Sequence, residues 1–319
     1  MMDSGNAGGA PANNPSVKGP SVDGSAANGS PVISLRDVGK VIGGKTILSD
    51  ISVDIEPGSI VGLLGKNGAG KTSLIDVMLG FSPPSSGSSR VFGENSFELP
   101  AAAKRRIGFV PQQDELLDSL TGAQQLALNA ALHPAWDQAL IARLIGEWEV
   151  PLDRRIQVLS GGERQKLATL LALGHEPDLL VLDEPASSLD PVARRQFLRE
   201  LLDIAESPTR TVLFSTHIVS DLERVASKVW IIRDGRLAWA GDLDTLKESV
   251  VRVTLLARDA WPSQLDIDGV ISRRDEGRRV QLVLTGWREE RQREMAERWG
   301  AEVSVERLGL EEIFLELHS

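Results

Sequence analysis

Eight consecutive residues constrain this chain more than any others: Gly65, Lys66, Asn67, Gly68, Ala69, Gly70, Lys71 and Thr72. They read G-x-x-x-x-G-K-T, a run whose backbone N–H groups cradle phosphate oxygens when it joins a strand to a helix. Both flanks suit that context. Residues 60–64, Ile-Val-Gly-Leu-Leu, form a short apolar run fit for a strand buried on both faces, and residues 73–79 continue as a helix ending near Gly80. The loop turns several N–H groups toward one point, and the positive end of the helix dipole adds to them. Lys71 then reaches β- and γ-phosphate oxygens, and the Thr72 hydroxyl is placed to bind Mg²⁺. A plain Gly-rich turn between strand and helix is the bland alternative, but it does not call for Lys-Thr at the helix start. The pattern points to nucleoside triphosphate binding.

Composition narrows the class. The 319 residues allow one large domain and a small one, and 41% hydrophobic residues suffice for a packed core. A formal net charge of −10 argues against a nucleic-acid-binding face. No stretch approaches the ~18 consecutive apolar residues of a membrane span. The start, Met1, Met2, Asp3, Ser4 and Gly5, lacks the basic and apolar regions of a secretory signal. The absence of cysteine excludes disulfides and thiolate-held metal centres. A cytoplasmic protein fits all of this.

Residues 1–30 are mostly Gly, Ala, Ser, Asn and Pro and read as a disordered tail. Strand-like alternation follows over 32–38 and 47–55, with Gly43 and Gly44 marking a turn and Pro57 and Gly58 closing this antiparallel piece. A Pro/Ser/Gly stretch, 82–89, leads to a short strand at 90–93. Residues 101–158 read as mostly helical, interrupted by a brief strand at 107–110 and then Pro111, Gln112 and Gln113; helices at 121–132 and 135–148 are punctuated by Pro134 and Pro151. Ser160 and Glu163 make a capping box that starts a helix running towards Gly174. Gly161 and Gly162 in its first turn each cost about 1 kcal/mol against Ala. That cost makes sense if an anion must approach the backbone N–H groups closely.

Residues 178–184 outline a buried strand ending in two carboxylates, Asp183 and Glu184. Ligands of parallel sheets sit beyond the carboxyl ends of the strands, so these two lie where the loop lies. Asp190 as N-cap and Pro191 as first helical residue start a helix through about residue 204. A further buried strand at 211–215 delivers Thr216 and His217 to the same edge. A helix at 219–226 and two strands, 228–233 and 236–240, joined by Asp234 and Gly235, complete this part. Beyond it, strands at 250–257, 280–285 and 302–307 and helices at 287–299 and 310–317 make a small α+β appendage that shows no catalytic motif.

In this order and spacing, the pieces between residues 32 and 243 resemble the ATP-binding-cassette ATPases of membrane transporters. Residues 65–72 match the Walker A loop, Gln112 the Q-loop, and Leu159, Ser160, Gly161, Gly162 and Glu163 the family signature. Residues 179–184 match the Walker B strand, 188–190 the D-loop, and His217 the switch histidine. The closing residues 310–317 look like the C-terminal end of drug- and antibiotic-export ATPase subunits. The fold implied is an α/β P-loop NTPase core, residues 31–244, with an antiparallel β subdomain and an inserted helical subdomain at about 113–158. An α+β domain at 245–319 follows.

The resemblance assigns roles. Asp183 holds Mg²⁺ with Thr72 and Gln112, although Gln113 beside it is an alternative. Glu184 is the general base, a function typically worth ~10²–10⁴ in rate. His217 contacts the γ-phosphate, and Lys71 joins Gly65, Lys66, Asn67, Gly68, Ala69, Gly70, Thr72 and Ser73 around the ATP phosphates. Ser160, Gly161 and Gly162, with Gln165 and Asp190, complete the site of a second subunit in a head-to-tail pair, where ATP acts as glue between two helix N-termini. A homodimer is possible and a heterodimer stays open. Asp190 also has the simpler role of a helix cap. There is one departure: the adenine-stacking aromatic is replaced by Ile42, beside Val41, in a chain without tyrosine. An aromatic stack is worth ~1–3 kcal/mol, so weaker base selectivity is expected.

A membrane-spanning permease is the implied partner, docking its coupling helix in a groove of the helical region 113–155. ATP and Mg²⁺ are the implied ligands, nucleic acid is not, and the implied location is the cytoplasmic face of the cell membrane. Soluble members acting in DNA repair, chromosome handling or translation usually carry a coiled-coil insert, zinc cysteines or two cassettes, and this chain has none of these. A regulatory module with little turnover is opposed by Glu184 and His217.

Overall fold

The computed structural model describes residues 30–205, 210–257, 261 and 266–318. The tail expected over residues 1–30 therefore lies, apart from Ser30, outside the described residues.

Strands β1 (Ile33–Ile42) and β2 (Lys45–Ile55) form a hairpin whose turn residues, Gly43 and Gly44, have φ of 58° and 80°. Strand β3 (Ile60–Leu64) feeds the glycine-rich loop and helix α1 (Lys71–Leu79); β4 (Ser86–Val91) and β5 (Glu94–Asn95) then return to complete an antiparallel sheet ordered β2-β1-β4-β5. Half of the Pro/Ser/Gly stretch that reads as a connector is thus strand. Ser86 pairs with Gly39 and Ser88 with Arg36, and a register shift lies between the two pairs. Gly87 sits at that shift with φ 77°, where an added Cβ would come within 2.3 Å of the Arg36 and Asp37 carbonyl oxygens. Only glycine fits so close a backbone approach.

After a short helix, α2 (Ala101–Lys104), β6 (Ile107–Val110) enters the central sheet, and α3 (Gly122–Leu132) and α4 (Gln138–Glu147) form the helical insertion. The chain continues through α5 (Gly161–Leu173), β7 (Leu179–Leu182), α6 (Pro191–Ala205), β8 (Thr211–Thr216), α7 (Val219–Val225), β9 (Lys228–Arg233) and β10 (Arg236–Asp242). Six of these strands make one sheet ordered β10-β9-β3-β8-β7-β6, parallel except for β10 at its edge.

Alternate residues of the central strands serve opposite layers, as the period of two requires. Leu64, Leu180, Leu182, Val212 and Phe214 pack towards α5, α6 and α7. Val61, Leu63, Val181 and Leu213 pack towards α1 and the antiparallel sheet. Both faces are covered, so β7 and β8 carry buried residues throughout. This is why they read as continuous apolar runs.

Helix α8 (Leu243–Ser249), which the sequence pattern did not announce, buries Leu243 and Leu246 in the same core as α5–α7. The last segment contains β11 (Val251–Leu256), β12 (Val270–Glu276), β13 (Arg279–Leu284), α9 (Glu290–Trp299), β14 (Glu302–Arg307) and α10 (Leu310–Leu317), with an antiparallel sheet ordered β12-β13-β11-β14. Strand β12 escaped the sequence pattern because its Ser-Arg-Arg-Asp-Glu run is polar. It is an edge strand, where charge discourages pairing with other chains. Helix α10 buries Leu310, Ile313, Phe314 and Leu317 in the core shared with α7. It also turns buried Glu316 to the C-terminal sheet, 2.7 Å from Ser272 Oγ, 3.4 Å from Arg274 and 3.7 Å from Arg252. Among the described residues, no helix is long and apolar enough to cross a membrane.

Candidate functional site

Strands β3, β7 and β8 are parallel neighbours, so their C-terminal ends open at one edge of the sheet. Out of β3 comes the loop of residues 65–70, out of β7 come Asp183 and Glu184, and out of β8 comes His217.

The loop's shape depends on its glycines. A Cβ on Gly65 would lie 2.7 Å from Ile232 Cγ2, and Gly68 and Gly70 have φ of 79° and 108°. Left-handed Gly70 precedes α1 without a side-chain cap, and no acidic residue occupies the first turn. The N–H groups of that turn are left for a ligand, and an anion suits them. Lys71 folds back across the loop. Its Nζ donates to the carbonyls of Gly65 (2.8 Å) and Lys66 (3.4 Å) and lies 3.1 Å from Glu184 Oε1; both charged side chains are only 6% exposed.

Glu184 is the hub. Its second oxygen, Oε2, is 2.6 Å from His217 Nδ1, and its amide donates to Ser215 Oγ at 2.9 Å. Its backbone is left-handed, with φ 52°. Asp183, beside it, accepts from Thr72 Oγ1 at 2.7 Å through Oδ2 and from the Ser215 hydroxyl through Oδ1. Lys71, Thr72, Asp183, Glu184 and His217, separated by up to 146 positions in the chain, are thereby joined by direct contacts.

Gln112 and Gln113 both line the wide groove of about 740 Å³ beside this cluster, together with Thr72, Asp183, Phe81 and His133. Asp76 also lines it; burial pushes its carboxyl above the ordinary range, and the Asp183 charge adds to the effect. Ser73 is half-buried behind Thr72, while Lys66, Asn67 and Gly68 are exposed and Ala69 is buried. Ile42 and Val41 are exposed at the hairpin tip, 54% and 47%.

The signature turn lies with the D-loop instead. Ser160 Oγ accepts from the Glu163 amide at 3.3 Å and Glu163 Oε2 accepts from the Ser160 amide at 2.7 Å, closing the capping box. A Cβ on Gly161 would sit 3.4 Å from Ser188 Cβ, and one on Gly162 3.1 Å from Leu189 Cδ2. Packing against Leu189 therefore favours glycine at 162, whereas the spacing at 161 is ordinary van der Waals contact. Asp190 Oδ1 caps α6, accepting from the amides of Val192 (2.8 Å) and Ala193 (3.0 Å). Gln165 is buried, and its Nε2 has no hydrogen-bond partner among the described residues.

Two contributors escaped sequence reasoning. Ser215 reads from the sequence as a strand residue without a role, although a hydroxyl on a strand buried on both faces generally needs a partner. Arg164, next to the signature, binds Asp114 (2.5 Å) and Asp118 (2.7 Å) and so ties α5 to the segment after Gln112. The bonds to Asp114 hold its guanidinium above even the usual arginine range.

The donor set suits Mg²⁺. A hydroxyl and a carboxylate oxygen lie 2.7 Å apart at the mouth of a phosphate-type loop. Among the described residues, no group of three or more His, Cys, Asp or Glu forms a protein-only cage. Mg²⁺ is commonly held in this way, by one or two protein groups plus substrate phosphates.

Residues 48–187 match the ABC transporter family. The ABC transporter ATP-binding protein YtrB of Bacillus subtilis is 30% identical over 224 residues, 70% of this chain and 76% of that one. The bacitracin transport ATP-binding protein BcrA of Bacillus licheniformis is 33% identical, over 69% and 72% of the two chains. A Nod factor export ATP-binding protein I of Burkholderia thailandensis is 35% identical, over 69% and 73%. Among solved structures, an ATP-binding subunit of an ABC transporter superposes with TM-score 0.62 at 27% identity, covering 68% of this chain and 92% of that one. A dimeric ATP-binding cassette bound to ADP and phosphate has TM-score 0.59 over 66% of this chain and 98% of its own, a likeness of fold at 21% identity. With relatives at this identity over more than two thirds of their length, and with the phosphate loop and the two carboxylates meeting at one sheet edge, the chain belongs to the ATP-binding-cassette family as an ATP-binding, ATP-hydrolysing transporter subunit.

Proposed function

We propose that the chain powers export through a separate membrane-spanning partner, hydrolysing ATP at sites completed by a second ATPase subunit. The observation that carries this is the convergence of Lys71 and His217 on the two oxygens of Glu184, at 3.1 and 2.6 Å, beside the Thr72–Asp183 pair. Without nucleotide, Lys71 and Glu184 neutralise each other. The β- and γ-phosphates of ATP offer Lys71 stronger partners, which leaves the Glu184 carboxylate free to accept a proton from the attacking water. That water's oxygen bonds to the γ-phosphorus as the bond to the ADP oxygen breaks. His217, held by Glu184, orients the water and contacts the γ-phosphate. Thr72, Asp183 and Gln112 would hold Mg²⁺, which when bound neutralises charge developing on the phosphate oxygens.

The remaining assignments follow the same scheme. Gly65, Lys66, Asn67, Gly68, Ala69, Gly70 and Ser73 surround the phosphates and Ile42 covers the base. The Ser160, Gly161 and Gly162 turn, with Gln165 and Asp190, closes over the nucleotide of the opposite copy. The uncapped start of α1 and the glycine-led start of α5 supply two positive helix ends for one γ-phosphate. A solved cassette of like fold is dimeric, which supports pairing with a second subunit. The transport and export relatives support a permease, with the groove lined by Phe81, Phe109, Leu116 and His133 as its docking place on the cytoplasmic face of the membrane. The cassette spans residues 31–244 and the C-terminal α+β domain residues 245–319.

Glu184→Gln tests the scheme. It should abolish turnover while preserving an ATP-dependent dimer in size-exclusion chromatography; hydrolysis at the parental rate would remove Glu184 from its role. Purification from membranes should bring the permease with the chain.

A further inference from the structure

Ser215 is fully buried in the middle of the parallel sheet. Its hydroxyl has one proton and two lone pairs, and both kinds of capacity are used on adjacent residues. It accepts the Glu184 amide at 2.9 Å and donates its proton to Asp183 Oδ1. Asp183 Oδ2 is thereby left facing Thr72 Oγ1 at 2.7 Å.

The second half of this clasp falls on an unusual backbone. Glu184 has φ 52°, a left-handed conformation that a residue with a side chain keeps only where its surroundings over-determine it. An extended Glu184 would carry its carboxylate away from Lys71 and His217. Neighbouring Asp183 is held by its own amide, which donates to the Val110 carbonyl at 2.8 Å. Glu184 has the Ser215 hydroxyl in that place.

We infer that Ser215 is a positioning residue for hydrolysis: its hydroxyl holds the Asp183–Glu184 step in the left-handed turn that aims the Glu184 carboxylate at the attacking water and turns Asp183 towards Thr72. This rests on the roles given to Glu184 and Asp183 above. A hydroxyl that merely satisfied a buried amide would affect stability and leave the ratio of kcat to KM parameters alone.

The test compares full-length protein carrying Ser215→Ala, Ser215→Thr and Glu184→Gln with the parent. Steady-state hydrolysis is followed against ATP concentration, and ATP affinity is measured by calorimetry in EDTA. Ser215→Ala should lower kcat about 10- to 100-fold, a part of the ~10²–10⁴ that a positioned base supplies. KM should change less than about threefold, and affinity in EDTA should match the parent, because the phosphate loop is untouched. Ser215→Thr, which keeps the hydroxyl, should recover most of the rate. Parental kcat in Ser215→Ala overturns the inference, as does an EDTA affinity that falls in step with kcat. A Thr variant that melts with the parent yet turns over no faster than Ala overturns it too. Glu184→Gln separates the two levels. If it is inactive while Ser215→Ala is parental, only the Ser215 role fails; if Glu184→Gln itself hydrolyses normally, the assignment of the base fails.

Discussion

In the nucleotide-free protein, replacing Lys71 with Met should lower stability as well as ATP binding. Lys71 and Glu184 are each 6% exposed and lie 3.1 Å apart. Removing one partner of such a pair strands the other charge where water does not reach it, which typically costs ~3–5 kcal/mol. His217 still touches the stranded carboxylate, so the lower half of that range is expected. The opposite truncation, Glu184→Gln, should cost less, about 1–3 kcal/mol, because Lys71 Nζ keeps the Gly65 and Lys66 carbonyls at 2.8 and 3.4 Å. The two losses must not add, since the second substitution removes a group already unpaired. For a domain of ~150–250 residues each kcal/mol moves the midpoint ~2–4 °C. Lys71→Met should therefore melt roughly 6–16 °C below the parent. Calorimetric or circular-dichroism melts of the parent, both single variants and the double variant, all without nucleotide, make the assay. A Lys71→Met midpoint within about 2 °C of the parent, or strictly additive losses, would refute the claim that this ion pair holds the empty site together.

Ile42→Tyr should tighten ATP binding several-fold and sharpen discrimination between ATP and GTP, because exposed Ile42 offers apolar cover without a ring; unchanged affinities in titration calorimetry would remove it from the base site. His175 links stability to pH: burial pulls it below the ordinary histidine range, outweighing the hydrogen bond between its Nε2 and the Ile107 carbonyl at 3.1 Å. The unfolded chain then binds this proton more readily than the folded one, so this contribution is present above about pH 6.5 and is lost as pH falls through the folded value. Melting temperature should drop from pH 7 towards pH 5, and His175→Phe should flatten that slope; an unaltered slope would contradict the assignment.

Much of this protein is written in short-range patterns. The run from Gly65 to Thr72 declares itself because a phosphate loop needs glycine, lysine and threonine at fixed spacing within a single turn of chain. The Ser160–Glu163 box and the Asp190 cap are contacts within three residues, and β7 and β8 advertise burial on both faces by their composition. The parallel order of the central strands then implies that Asp183, Glu184 and His217 meet the loop.

What the one-dimensional pattern leaves undecided depends on partners far along the chain. Strand β4 begins inside a Ser/Gly stretch because the Arg36–Gly39 backbone is there to pair with it, and β12 is a strand because β13 is. Helix α8 exists where Leu243 and Leu246 find an apolar layer that draws on residues as far away in the chain as Leu64 and Leu317. The same holds within the site. That Lys71 closes on Glu184, that Glu184 bends left-handed, and that Ser215 clasps it to Asp183 are outcomes of distance and burial across 31 to 113 positions. Local spacing names the chemistry, because chemistry needs particular atoms close together in the chain. Only the packed sheet sets which lone pair meets which proton, because that geometry is supplied by neighbours the sequence lists far apart.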